Sequence, residues 1–333
     1  MSKRSRLVAA GVATLALVAA GCGGGAGGTG GGLTGRLFIS GSSTVEPITA
    51  LVAELFSEEN PDVTISVEGP GTGDGFELFC NGETDISDAS RTIQEEEIAA
   101  CREAGIDYVE LEVAIDGMAV MTSPQNAEVS CLNFGDLYAL MGPESQGFRR
   151  WSDANELGEE VGGIAVPYPH QPLVVVAPGE ESGTYDSFVE IAFADLAEER
   201  EQEESARPDY QASANDNVII EGIAGSATSL GWVGYAFYEQ NQEVVRAVEV
   251  DGGGGCTTPT TETIADGTYP LARSLYMYVN SARAAENEAL RAFVDFYVTE
   301  TGLQTAVERV GYVPLPPERQ QATASAWETG RPT

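Results

Sequence analysis

The chain has 333 residues, of which 52 are acidic and 17 are lysine or arginine, giving a net charge of −35. This length is too great for one ordinary domain and suits two. Such an acidic chain is unfavourable for nucleic acids and anionic lipid surfaces, because a protein that binds polyanions needs basic patches. A strongly acidic surface stays soluble where salt screens its charges, so we hypothesise a salt-loving source.

The first 21 residues have the features of a signal peptide for export. The basic start MSKRSR precedes the apolar run LVAAGVATLALVAAG, which is too short to cross a bilayer comfortably. Cys22 follows in LVAAGC, which is similar to a lipobox, so we predict that Cys22 is lipidated. The alternative is a signal peptide cut elsewhere, with Cys22 incidental. Residues 22–35 are rich in glycine and predict a flexible tether.

Four cysteines follow Cys22. An even number in an exported chain indicates two disulfides, for which three pairings exist. Pairing nearest cysteines gives Cys80–Cys101 and leaves a long-range Cys131–Cys256. No C-x-x-C spacing occurs and His170 is the only histidine, so we expect neither a zinc site nor a cofactor.

From residue 36 onward, segments typical of strands alternate with segments typical of helices. GRLFISGSS, DVTISVEG, TDISDAS, QPLVVVAP and LARSLYMYVN predict single strands, and IDYVELEVAIDGMAVMTSP predicts two. EPITALVAELFSEENP, FELFCNGE, TIQEEEIAACREAG, CLNFGDLYALM, SGTYDSFVEIAFADLAEE and NDNVIIEGIAG predict helices. The alternation indicates an α/β fold with parallel strands in two lobes. We place one lobe at residues 36–115 plus 273–333 and the other at residues 116–272.

Three turns that combine glycine with Ser or Thr each follow a strand and precede a helix. They are GSST at 41–44, GTGDG at 71–75 and ESGT at 181–184. A helix N-terminus exposes unpaired N–H groups, so such a turn can hold an anion. Each Ser or Thr can instead be a simple helix cap. Three such turns in one chain favour an anion site.

The segment TDISDASRT adds Asp88 and Arg91. One interpretation is a surface ion pair of little energetic value. The functional interpretation gives the anion a cation and a carboxylate. A carboxylate beside an anion is repulsive unless the ligand donates a proton to it. Phosphate at neutral pH carries a proton and sulfate carries none, so Asp88 would admit phosphate and reject sulfate.

The chain also resembles a known family, the phosphate-binding proteins of the phosphate-specific ABC transporter, often called PstS. The resemblance covers about residues 37–317 and is carried by GSSTVEPI, GTGDGFELFCNGETDISDASRTI, APGEESGTYDSF, NDNVIIEGIAG, TPTTETIADGTYPLARSLYMYV and VGYVPLP. It implies a periplasmic-binding-protein-like fold of type II, with two hinged α/β lobes and phosphate in the cleft between them. The ligand residues that it implies are Ser43, Thr44, Thr72, Gly73, Asp88, Arg91, Ser182, Gly183 and Thr184. Ser42 lies in the first turn, where capping alone would explain it.

The resemblance further implies an exported protein at the outer face of the cytoplasmic membrane, acting as a monomer with the permease and ATPase subunits of an ABC importer. Some family members have an arginine four residues before the equivalent of Ser182, where this chain has Pro178. Arg91 must then supply the positive charge, and we expect Glu181 to hold it in place. The alternatives are a binding protein for another tetrahedral oxyanion, and a phosphate-binding sensor or adhesin that is not coupled to transport.

A hydrolase is the remaining alternative, because Ser182 follows a strand as a nucleophile would. A Ser-His-Asp enzyme needs a histidine base, and His170 is the sole candidate. The G-x-S-x-G elbow is absent around Ser182. We therefore expect a binding protein without catalytic residues.

Overall fold

The computed structural model describes residues 32–180 and 182–330. The predicted signal peptide, Cys22 and Glu181 lie outside these ranges. The first part of the chain comprises β1 (Gly35–Gly41), α1 (Glu46–Glu59), β2 (Val63–Glu68), α2 (Thr72–Cys80), β3 (Ile86–Ala89), α3 (Glu95–Ala104) and β4 (Tyr108–Thr122). The order of strands and helices predicted for this part is confirmed, with one correction: β4 is a single strand of 15 residues where we expected two.

The middle part comprises β5 (Cys131–Asn133), α4 (Phe134–Met141), two short 3₁₀ helices (Pro143–Ser145 and Trp151–Ala154), α5 (Asn155–Glu160), β6 (Val174–Ala177), α6 (Gly183–Ala192), α7 (Ala194–Glu199), β7 (Gln211–Ala212), α8 (Asp216–Ala224), β8 (Ser229–Gly234) and α9 (Tyr235–Gln240). Two predictions are corrected. The segment predicted as one helix from Ser182 is interrupted at Phe193, and CLN forms a strand before its helix begins.

The last part comprises β9 (Arg246–Ala247), β10 (Glu249–Asp251), β11 (Cys256–Thr257), α10 (Thr261–Ala265), β12 (Ala272–Asn280), α11 (Ser281–Glu286), α12 (Glu288–Tyr297), a π-helix (Thr301–Ala306), α13 (Val307–Arg309) and α14 (Pro317–Gly330). The sequence interpretation contained no equivalent of α14. Within the described ranges, no helix is both long enough and apolar enough to cross a membrane.

The strands form a mixed sheet in the order β2-β1-β3-β12-β4-β8-β6-β7, with β9 also paired to β4. The neighbours β1–β2, β1–β3, β6–β8 and β6–β7 are parallel, as predicted. The central pair β12–β4 is antiparallel, and so are β12–β3 and β4–β8, so the sheet is mixed where the sequence predicted parallel strands. Because β1 and β3 are parallel neighbours, the loops after both strands lie at the same edge of the sheet.

Most buried apolar side chains fall into two large clusters. One contains β1, α1, the first half of β4, β12 and α12. The other contains the second half of β4, α4, α6, α8 and β8. Strand β4 contributes to both, and the change occurs between Ala114 and Ile115. The predicted lobe boundary at residues 115 and 116 lies at this change of core, although Val313 and Leu315 join the second cluster. The division into lobes remains a prediction.

Both predicted disulfides are present. Cys80–Cys101 joins the end of α2 to α3, and Cys131–Cys256 joins β5 to β11. The first closes a loop of 21 residues and the second a loop of 125 residues. Such crosslinks stabilise mainly by limiting the unfolded chain, and the effect grows with loop length.

Candidate anion-binding site

A cavity of about 390 Å³ lies where the loops after β1 and β3 meet the starts of α2 and α6. Its wall consists of Ser42, Ser43, Thr44, Gly71, Thr72, Gly73, Ser90, Arg91, Tyr185, Asp186, Val189, Glu190 and Glu204. Five of the predicted ligand residues are therefore brought together: Ser43, Thr44, Thr72, Gly73 and Arg91. Asp88, Ser182, Gly183 and Thr184 are not on this wall.

The first turn is held by its own backbone and by α6. The hydroxyl of Ser42 accepts a hydrogen bond from the Thr44 N–H at 3.2 Å, so Ser42 shapes the turn as expected. Ser43 Oγ donates to Asp186 Oδ2 at 2.8 Å, and the hydroxyls of Thr44 and Ser187 lie 3.1 Å apart. Hydroxyl groups from the loop after β1 therefore point toward the first turns of α6.

The second segment is not a free turn but the start of α2. Helix α2 begins at Thr72, and Gly71 precedes it with φ 121°, a backbone conformation that favours glycine. Thr72 Oγ1 accepts from the Ser90 N–H at 3.2 Å and lies 3.0 Å from Ser90 Oγ. A Cβ at Gly75 would lie 2.4 Å from Gly41 Cα, so this glycine lets α2 approach the end of β1. We had expected a turn over residues 71–75, and this is a correction.

Arg91 is on the wall and is held by Glu97. Two hydrogen bonds of 2.8 and 2.9 Å join its guanidinium to the two carboxylate oxygens of Glu97, and these bonds raise the pKa of Arg91. The guanidinium also lies 5.6 Å from the centre of the Phe76 ring. Sequence reasoning proposed Glu181 as the partner, which lies outside the described residues, and missed Glu97. Arg91 and Glu97 are six residues apart, and this spacing does not predict an ion pair.

Asp88 lies behind the wall, although the sequence interpretation placed it facing the ligand. Side chains alternate along a strand, so Asp88 shares a face with Ile86, which packs in the apolar cluster of α1 and α12. Asp88 is 1% exposed, and its Oδ1 has no hydrogen-bond partner in the described part of the chain. Burial raises the pKa of Asp88 to about 7, a hydrogen bond from Thr49 opposes this shift, and Glu46 adds to it.

Residues 182–184 form the beginning of α6, next to the first turn. Ser182 caps α6, because its Oγ accepts from the Thr184 N–H at 3.2 Å. A Cβ at Gly183 would lie 3.1 Å from Thr44 Cα, so the two backbones approach closely. Helix α6 is fixed from behind by Phe188, whose ring stacks on Trp232 of β8 at a centroid distance of 4.0 Å.

Sequence reasoning missed three carboxylates on the wall: Asp186, Glu190 and Glu204. The spacing of Asp186 and Glu190 places both on one face of α6, and this signal could have found them. Burial raises the pKa of Glu204, and Glu190 and Asp186 raise it further. A wall with hydroxyl donors, one cation and several carboxylate acceptors suits an oxyanion that carries its own hydrogens.

The two residues considered for a hydrolase, His170 and Ser182, each have another partner in the structure. His170 Nδ1 lies 2.9 Å from Ser152 Oγ, at an exposed position, while the Ser182 hydroxyl caps α6. Among the described residues, no group of three or more His, Cys, Asp or Glu side chains could hold a metal ion.

Comparison with known proteins identifies the family of the chain. The PBP superfamily domain matches residues 26–301. A Synechocystis protein named SphX is 38% identical over 282 residues, which cover 84% of this chain and 78% of that protein. The phosphate-binding protein PstS of Staphylococcus saprophyticus is 33% identical over 303 residues, which cover 90% of this chain and 86% of that protein. The chain is a PstS-like member of the PBP superfamily.

A solved structure supports the same assignment. A "possible phosphate binding protein" from Planctomyces limnophilus superposes with a TM-score of 0.81 at 33% identity, covering 90% of this chain and 99% of that one. The predicted resemblance to PstS proteins and the periplasmic-binding-protein-like α/β fold are therefore confirmed. The Staphylococcus relative is named as a phosphate-binding protein, in agreement with the expectation of a binding protein.

Proposed function

We propose that this PstS-like protein captures inorganic phosphate outside the cytoplasm and delivers it to an ABC importer. The observation that carries the proposal is the shared wall: hydroxyls of Ser43, Thr44 and Thr72 and the guanidinium of Arg91 line one cavity. Backbone N–H groups at the start of α2 lie at the same place, where the helix dipole favours negative charge. Relatives named as phosphate-binding proteins support phosphate as the ligand.

The excess of negative charge does not oppose this function. Micromolar binding corresponds to about −8 kcal/mol. Several charge-assisted hydrogen bonds of about 1.5–3 kcal/mol each can supply it without a basic surface. The carboxylates on the wall can accept hydrogen bonds from the hydrogens of phosphate, whereas sulfate has none to donate. The same proposal includes closure of the two lobes about a hinge. It also includes a contribution to phosphate binding from four further residues: Ser182, Gly183, Thr184 and Asp88.

Calorimetric titration of the exported protein with phosphate, arsenate, sulfate and molybdate tests the ligand. We expect phosphate and arsenate to bind and sulfate to bind at least about 100-fold more weakly. Arg91→Ala should weaken phosphate binding by well over tenfold. Arg102→Ala, on an exposed site of α3, is the matched control and should leave binding unchanged. Tighter binding of sulfate or molybdate would favour the alternative of another oxyanion.

Coupling to transport and anchoring need separate tests. We propose that the protein is lipidated at Cys22 and works as a monomer at the outer face of the cytoplasmic membrane. Cys22→Ala should move the protein from the membrane fraction to the soluble fraction. Uptake of labelled phosphate by cells that produce the permease and ATPase subunits of a phosphate ABC importer should require this protein. Phosphate binding without any effect on uptake would favour a sensor or adhesin.

A further inference from the structure

Arg273 stands at the start of β12, directly opposite Asp116 of β4 in the central antiparallel pair. Its side chain is only 13% exposed and is absent from the cavity wall. The guanidinium nevertheless reaches the helices of the site. Nη1 donates to Glu190 Oε2 at 2.6 Å and Nη2 donates to Ser187 Oγ at 2.8 Å.

The same Nη2 lies 3.5 Å from Thr44 Oγ1, at the limit of a hydrogen bond. Thr44 and Ser187 are themselves 3.1 Å apart through their hydroxyls. One guanidinium therefore contacts the loop after β1 and the second turn of α6, which are separated by 143 residues in the chain. Both segments contribute residues to the cavity wall.

Arg273 lies between two carboxylates, those of Glu190 and Asp116. Glu190 lies on the wall. Asp116 is 1% exposed, and its Oδ2 lies 3.8 Å from Arg273 Nε. Arg91, the cation on the wall, is already bonded to both carboxylate oxygens of Glu97. Without Arg273, the carboxylate of Glu190 would face the cavity uncompensated and would repel an entering anion.

We propose that Arg273 is a positioning residue of the anion site, which holds the loop after β1 against α6 and compensates the charge of Glu190 without touching the ligand. This inference rests on the proposed function. The two lobes proposed above would meet at this residue, since β12 and β4 connect the two apolar clusters.

The test compares phosphate affinity and melting temperature in four forms of the exported protein. Arg273→Gln should weaken phosphate binding by at least about tenfold. The double variant Arg273→Gln with Glu190→Gln should recover most of that loss, because the uncompensated carboxylate is gone. Arg200→Gln is the control, since Arg200 also pairs with two carboxylates, Glu144 and Glu160, that are not on the wall. It should lower the melting temperature and leave affinity unchanged.

A purely structural role for Arg273 predicts a different result, namely a lower melting temperature with unchanged affinity, or a loss of affinity that Glu190→Gln does not restore. Either result overturns the inference. If Arg273→Gln does not fold, Ser187→Ala removes the hydroxyl to which Arg273 donates and should weaken phosphate binding by about threefold. Unchanged affinity in Ser187→Ala would then overturn it. A native protein that binds no oxyanion refutes the proposed function, and the inference with it.

Discussion

The hydroxyl of Ser43 donates a hydrogen bond of 2.8 Å to the carboxylate of Asp186, across 143 residues of sequence. Both residues lie on the cavity wall, and Ser43 is one of the donors predicted for the ligand. An entering oxyanion must therefore compete with Asp186 for this hydroxyl or donate a hydrogen to the carboxylate. We therefore propose Asp186 as a second candidate for the selecting role that the sequence predicts for Asp88.

Replacing Asp186 by Asn should relax the rejection of sulfate. The amide has no charge to repel the anion and its NH₂ group can donate to it. We expect sulfate affinity to rise by about tenfold or more, which corresponds to about 1.4 kcal/mol. Sulfate titration of the native protein and of Asp186→Asn checks this, with exposed Asp195→Asn on α7 as the control. Relaxation in Asp88→Asn alone would return the selecting role to the buried Asp88.

The buried Asp88 should make stability depend on pH. Its pKa is raised to about 7 in the folded protein from an ordinary value of 3.8, mainly because burial disfavours the charged form. The stability that the neutral carboxyl contributes is complete below about pH 4, falls as pH rises toward 7 and is gone above it. Asp88→Asn should thus gain stability relative to the native protein between pH 4 and 8, on the order of 4 kcal/mol.

Urea unfolding at pH 4, 6 and 8 measures this difference. Burial also raises the pKa of Glu204 and Asp216, so the stability of the native protein alone depends on pH for several reasons. The difference in stability between Asp88→Asn and the native protein isolates the contribution of Asp88. Asp62→Asn, at an exposed position before β2, controls for the substitution itself. A constant difference between Asp88→Asn and the native protein at all three values would contradict the prediction.

The two disulfides should differ in what their removal costs. Replacing Cys131 and Cys256 by Ala opens a loop of 125 residues, and we expect the free energy of unfolding to fall by about 5 kcal/mol. Replacing Cys80 and Cys101 by Ala opens a loop of 21 residues and should lower the free energy of unfolding by about 3 kcal/mol.

Phosphate affinity should depend on the two disulfides in the opposite order. Cys80–Cys101 ties α2 to α3, which carry Thr72 and Glu97, so its loss should also weaken phosphate affinity. Loss of Cys131–Cys256 should leave affinity close to native, since that bridge lies in the small sheet of β5, β10 and β11. Unfolding in urea and phosphate titration of both variants provide the two measurements. Equal effects on affinity would show that the bridge between α2 and α3 does not support the site.

Salt should stabilise the folded protein. Cleavage after residue 21 would leave 52 acidic against 14 basic residues, and their mutual repulsion is strongest in dilute buffer. The screening length falls from about 10 Å at 0.1 M salt to about 3 Å at 1 M. We expect the melting temperature to rise by about 5 °C or more over this range of KCl. A flat profile would refute the hypothesis of a salt-loving source.

Much of the local structure was predictable from the sequence because it depends on local patterns. The apolar positions of α1, with Ile48, Val52 and Phe56 buried at intervals of four, fix its orientation on the sheet. The antiparallel arrangement of β12 and β4 was not predictable, because it depends on which distant segment enters the centre of the sheet. The continuity of β4 through Asp116 and Gly117 has the same cause, since β12 pairs with both residues and β8 pairs with β4 from Met118 onward.

The site was predictable where it follows from strand–turn–helix order and missed where it depends on packing. Ser43, Thr44 and Thr72 follow strands, and the parallel pairing of β1 with β3 and β2 brings them together. The position of Asp88 depends on which face of β3 it occupies, and four buried residues in a row give no alternation to decide this. Arg273 reaches the site from a strand more than 80 residues away from Ser187, for which sequence spacing gives no signal.

The hydrogen bonds between Glu97 and Arg91 have a consequence for how strongly the proposed site would bind. A free arginine side chain loses rotational freedom when it captures a ligand, and that loss weakens binding. Here the guanidinium is already oriented by a carboxylate and an aromatic ring before any oxyanion arrives. If Arg91 binds the oxyanion as proposed, its side chain loses little rotational freedom on binding, because the guanidinium is already held in place.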